Sequence, residues 1–176
     1  QDQSQINRFP GAMVDGSRMR LAGHMAQWFA VFFPPEEEMP PGFDDEAYYR
    51  ACRSVLRNST EANPPELAFS QSAADVEGPW ANGCPSALFS LEDGRILNGS
   101  VERLEALYRD GVRMIGLTWN GDNCLGHANS AEPRRMALGL TPFGREAVHR
   151  MEELGMLVDV SHLSDGGFYE VAALCK

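Results

Sequence analysis

No stretch of this 176-residue chain stays apolar for long. The longest such run, Trp28 to Phe33, is far short of the roughly 20 residues a helix needs to cross a bilayer. No signal-peptide pattern is present, and the chain begins at Gln1 rather than Met, so the upstream question stays open. Cations are scarce: 15 Lys and Arg stand against 25 Asp and Glu, a net charge of -10, and they form no basic face. Nucleic acid and anionic membranes both reward positive charge, so neither is expected as the main partner. The four cysteines, Cys52, Cys84, Cys124 and Cys175, form no C-x-x-C pair. In a chain large enough for its own core they read as free thiols in a reducing compartment, which points to a cytoplasmic location. There is also no G-x-S-x-G elbow, no P-loop, no strand-linked G-x-G-x-x-G and no H-E-x-x-H helix. Hydride and phosphoryl transfer therefore lack their usual sequence support.

What is present is a soluble-protein composition, 43% apolar and 23% charged, with short β-rich runs alternating with amphipathic helical patterns. A first strand is expected at 27–33, stopped by Pro34 and Pro35, which cannot donate to a ladder. A loop containing Glu36, Glu37 and Glu38 reads as solvated. A helix follows at about 44–58 and is closed off by Asn63, Pro64 and Pro65. The segment 69–84 reads mostly as loop. A second strand at 86–91 is continuously apolar enough to be buried on both faces. Ser100 caps a helix carrying Val101, Leu104 and Leu107, and Gly111 stops it. A third strand covers 112–118. Thr141 and Pro142 form an N-cap and N1 pair opening a helix that ends at Gly155. A fourth strand spans 156–160, and Ser164 caps a last helix.

This order, strand and helix four times over with short links, fits either a small doubly wound sheet or part of an eight-stranded α/β barrel. A barrel needs about 250 residues, and the chain stops inside its last helix, which favours part of a barrel. In both architectures ligands bind where strands end and βα loops begin. Glu92 follows the second strand, Trp119, Asn120 and Asp122 the third, and His162 the fourth, so all should open on one rim. A carboxylate and an imidazole together suit zinc, manganese or iron. Taken singly, a histidine after a strand can equally be a hydrogen-bonded loop residue, and a glutamate at a strand end a solvated carboxylate. Asp159 alternates with apolar neighbours, either orienting a ligand or pairing with backbone. His24, His127 and His149 read as structural or surface residues.

Several segments resemble the membrane (renal) dipeptidase family, bacterial branch. They are Ser90-Leu-Glu-Asp-Gly94, Arg103 to Arg113, Leu117-Thr-Trp-Asn120, Gly139 to Gly144, and Gly155-Met-Leu-Val-Asp-Val-Ser-His162. Val14, Asp15 and the residues to Arg18, then 27–33, look like the family's second-strand region. The resemblance implies an amidohydrolase-type (β/α)8 TIM barrel, here roughly its first half without the first strand. Residues 1–176 would then be part of a single catalytic domain, truncated at both ends. It also implies hydrolysis of dipeptides at a two-zinc centre by a hydroxide held between the metals. Glu92 looks like the carboxylate that bridges both metals, and His162 like the ligand of one. The Thr118-Trp119-Asn120 turn looks like the loop lining the substrate pocket, with Trp119 where mammalian members carry a histidine. Asp159 would stand behind the metal ligands. The family's H-x-D pair, a further histidine, and its later Arg and Asp have no counterpart within residues 1–176, so the isolated segment is expected to be inactive. A dipeptide is the implied small-molecule partner, and a homodimer is compatible with the family. Two other readings stay open: a related amidohydrolase acting on another amide or a lactam, and a non-catalytic barrel whose metal site is lost.

Overall fold

The computed structural model describes residues 6, 11–35, 38–61 and 66–175. Its backbone contacts gather into two compact units, one formed by 1–31 with 44–89 and the other by 32–43 with 90–176. Strands β1 and β3 each begin in the first unit and end in the second.

In the first unit, α1 (Gly16–Leu21) starts at Asp15, whose carboxylate accepts from the Arg18 N–H. Residues 15–18, expected as part of a strand region, are therefore a helix start: the cap bond captures a donor that a helix otherwise leaves unpaired. Strand β1 (Ala26–Phe32) lies within a residue of its expected position. Helix α2 (Asp45–Thr60) is opened by the Asp44 side chain, which accepts from the N–H groups of Glu46 and Ala47. Its buried Tyr49 stacks on Phe89 of β3, ring centroids 5.8 Å apart. The stretch 69–84, expected mostly as loop, instead holds the short strand β2 (Ala68–Phe69) and helix α3 (Ala73–Trp80). Ser72 caps α3 through a bond from the Asp75 N–H, and Pro79 falls within the helix. That proline and the preceding Gly78 hid the helix by breaking its pattern. Strand β2 pairs in parallel with β3 (Ser86–Glu92), Ala68 opposite Ser86. Asn63, Pro64, Pro65, Glu36 and Glu37 lie outside the described residues.

The second unit carries the carboxyl end of β3, a 3-10 turn (Gly94–Leu97), α4 (Val101–Arg109), β4 (Val112–Gly116), α5 (Pro133–Met136), α6 (Pro142–Leu154), β5 (Leu157–Asp159) and α7 (Asp165–Leu174). The sheet order here is β3, β4, β5. Strands β4 and β5 are parallel, with Met114 opposite Leu157 and Gly116 opposite Asp159. The expected caps are all made: Ser100, Thr141 and Ser164 accept from the N–H groups of Arg103, Gly144 and Gly167. Gly155 ends α6 in the left-handed region at φ 69°, where the absence of a Cβ removes the strain. Strands β4 and β5 are shorter than expected, because the chain turns into the site loops before the apolar runs end. Leu104, Leu107, Ala147, Val148 and Met151 are buried, 5% exposed or less. They form the apolar stripes of α4 and α6, and the Arg150 guanidinium joins the two helices by pairing with Glu105 at 2.6 Å.

The protein is therefore α/β with parallel strands. None of the four cysteines is in a disulfide. Among the described residues, no helix is long and apolar enough to cross a membrane.

Candidate metal and substrate site

The carboxyl ends of β3 and β5 bring two residues together that lie far apart in sequence. The imidazole Nε2 of His162 is 3.5 Å from Oε1 of Glu92, and both side chains are partly open to solvent at 41% and 38%. The expected shared rim position of these two is thus what the second unit contains.

The Glu92 end is held by side chains. The next residue, Asp93, takes up a left-handed backbone at φ 77°, a region most non-glycine residues avoid. Asp93 is only 6% exposed, and its carboxylate Oδ1 accepts from the Arg95 N–H at 3.0 Å and from Asn123 Nδ2 at 2.7 Å. Gly94 follows because a Cβ there would run into Leu125 and Ile115. Two residues before Glu92, on the same strand face, the Ser90 hydroxyl is fully buried with no hydrogen-bond partner among the described residues.

The His162 end is held by backbone. His162 is also left-handed, at φ 63°. Its carbonyl accepts from the Asn129 N–H at 2.7 Å and from the Thr118 hydroxyl at 3.2 Å. Asp159 Oδ1 accepts from the Ser161 N–H at 2.9 Å. Asp159 thus pairs with backbone in the turn just before His162.

Trp119 stands beside this pair. Its ring centroid is 6.3 Å from that of His162, and it meets Phe32 edge-on at 4.8 Å and 78°. Trp119 and the exposed Asn120 also line a cavity of about 590 Å³ together with Asp93, Arg95, Asn98 and Asn123. Glu92 and His162 are not part of that lining, and Trp119 is the residue that both lines the cavity and neighbours the His162 ring. The loop beyond is pinned at Asp122, which accepts from the Ala128 N–H at 3.0 Å and pairs with Arg135 and the His127 ring, each at 2.9 Å. Burial alone would push the Asp122 carboxyl up. The hydrogen bonds from His127 and Ala128, with the Arg135 charge beside it, hold it below the usual carboxylate range. Asp93, Asn123, Phe32 and the Asp122 partners were not legible as site residues. The only sequence hint was the density of Asn, Asp and Gly from 119 to 123, which marks a side-chain-bonded turn.

Comparison with known proteins now adds the class. Residues 2–176 match the membrane dipeptidase family, peptidase family M19, and the chain belongs to that family. Over 92% of its length it superposes on the probable dipeptidase PvdM from Pseudomonas aeruginosa, with a TM-score of 0.77 and 26% identity. It is similar as well to a metallopeptidase from Rhodobacter sphaeroides bound to a phosphinate mimic of L-Ala-D-Ala, with a TM-score of 0.74 and 21% identity over 93% of the chain. Among curated sequences, an uncharacterized protein in the PQQ-III 3' region of Acinetobacter calcoaceticus is 23% identical over 93% of the chain. The chain spans 43% of the first structure, 53% of the second and 57% of the third protein, about half the length of these relatives.

The family implies a metal, and the residues present fit one in part. Glu92 and His162 are the oxygen and nitrogen donors zinc prefers, already facing each other. Among the described residues no group of three or more His, Cys, Asp or Glu gathers to hold an ion.

Proposed function

We propose that this chain supplies the Glu92–His162 side of a zinc centre in an enzyme that hydrolyses dipeptides, with residues 1–176 belonging to its catalytic α/β barrel domain. The observation that carries this is the 3.5 Å approach of the Glu92 carboxylate and the His162 imidazole from the ends of two parallel strands. An exposed Glu–His ion pair contributes under about 1 kcal/mol. It does not explain why the backbone on both sides is held in a conformation that costs about 1–3 kcal/mol per residue. Such strain is a mark of a preorganised site.

Glu92 and His162 would be the side chains of this chain that hold the zinc. When bound, zinc lowers the pKa of water and polarises the peptide carbonyl. The chain's own residues do the rest. Asp93 and its partners fix the direction of Glu92. Asp159 sets the turn that presents His162. Trp119, braced on Phe32, gives the substrate an apolar wall that keeps bulk water from one side of the pair. Asn120 offers an amide to a polar end of a short peptide.

The test is metal content and turnover of the full-length protein. Glu92→Gln should empty both zinc sites and abolish dipeptide hydrolysis, whereas His162→Ala should mainly deplete one. Two retained zincs with full turnover in Glu92→Gln would show that Glu92 is only a loop carboxylate. A full zinc complement without turnover on any dipeptide would move the substrate to another amide or a lactam.

A further inference from the structure

We infer that Asn123 is a positioning residue for the Glu92–His162 centre, an assignment that rests on the metal-site reading above. A buried carboxylate is costly unless donors surround it, and Asp93 is such a group, directly after Glu92. Asn123 Nδ2 donates to Asp93 Oδ1 at 2.7 Å and to the Leu117 carbonyl at 2.8 Å. Its Oδ1 accepts from the Leu125 N–H at 2.8 Å, and its own N–H donates to the Gly126 carbonyl at 3.1 Å. One side chain thus joins three segments: the turn that aims Glu92, the end of β4 two residues before Trp119, and the loop that returns toward α5.

The chemistry singles out asparagine. Both amide hydrogens and the carbonyl oxygen are used, so aspartate loses the two donors and sets a second carboxylate against Asp93. Alanine leaves Asp93 Oδ1 and the Leu117 carbonyl each short of a donor. In either case the turn after β3 loses its link to the loop carrying Trp119, and Glu92 is free to leave the direction in which it meets His162. The Asn123 side chain bonds to Asp93, Leu117 and Leu125 and to neither member of the pair, so it acts on Glu92 through Asp93.

The experiment compares wild type, Asn123→Ala and Asn123→Asp in the full-length protein. Zinc affinity is read by competition with a coloured chelator, and the thermal midpoint is recorded beside it. Leu104→Ala, a cavity in the buried stripe of α4, shows what destabilisation alone does. Both Asn123 variants are expected to bind zinc more weakly by on the order of ten- to a hundredfold, as for other groups that orient metal ligands. Leu104→Ala should lower the midpoint with zinc affinity unchanged. If Asn123→Ala does not fold, Asn123→Ser is read in the same way. Wild-type zinc affinity in the folded variant overturns the assignment of Asn123 alone. A wild-type protein that takes up no zinc overturns the metal-site reading, and this assignment with it.

Discussion

The ends of β3 and β5 deliver their residues to one place by opposite means. After β3, the chain bends through a buried aspartate whose carboxylate is bonded to Arg95 and Asn123, and then through a glycine with no room for a side chain. After β5, the bend is made by His162 itself, also at positive φ; its carbonyl accepts from the Asn129 N–H and the Thr118 hydroxyl, and the Asp159 carboxylate accepts from the Ser161 N–H just before it. One end is a packed and hydrogen-bonded side-chain turn. The other places the strained position on His162 itself. The difference teaches where the strain sits: on the residue after Glu92 at the first end, and on His162 itself at the second.

One substitution made at both ends breaks or sharpens this contrast. Glycine relieves the left-handed strain in either position, a gain of about 1 kcal/mol before its own entropy cost. At Asp93 it also removes an acceptor of buried hydrogen bonds, worth about 1–3 kcal/mol. Asp93→Gly should therefore lower stability by about 1–2 kcal/mol in metal-free protein. His162→Gly should leave it unchanged or raise it by up to about 0.5 kcal/mol. Urea unfolding with an unchanged slope would check both. Effects of the same sign would mean that the two turns are built alike.

The smallest effect concerns the loop between these ends. Asp122 titrates below the ordinary carboxylate value of about 3.9 because His127, Ala128 and Arg135 favour its charged form. Its folded pKa is depressed, so the stabilisation is present above the unfolded value and is lost as pH falls through the folded one. The group is a third exposed, which keeps the contribution under about 1 kcal/mol. Asp122→Asn should cost that small amount at neutral pH, and the gap to wild type should close as pH drops below about 4. A gap that persists at low pH would show that the loop depends on shape rather than charge.

Much of this second unit was legible because its signals are local. Ser100, Thr141 with Pro142, and Ser164 announce helix starts through bonds made three residues on. Glu92 and His162 stand out as soon as the strands before them are drawn, since the ends of parallel strands are where sites form. The first unit read less well. Helix α3 contains Gly78 and Pro79, and no apolar repeat marks it, so only its Ser72 cap could have given it away. Asp93 and Asn123 escaped for another reason. Their pairing spans 30 positions, and neither residue type shows from the sequence which of its many hydrogen-bonding options it will take.

The central claim is that Glu92 and His162 belong to one zinc centre, and zinc-edge anomalous diffraction from crystals of the full-length protein tests it most directly. The account predicts two peaks bonded to the Glu92 carboxylate, one of them also bonded to the His162 ring, at about 2.0–2.2 Å. Zinc bound elsewhere, with the Glu92 and His162 side chains still facing each other unliganded, would contradict it.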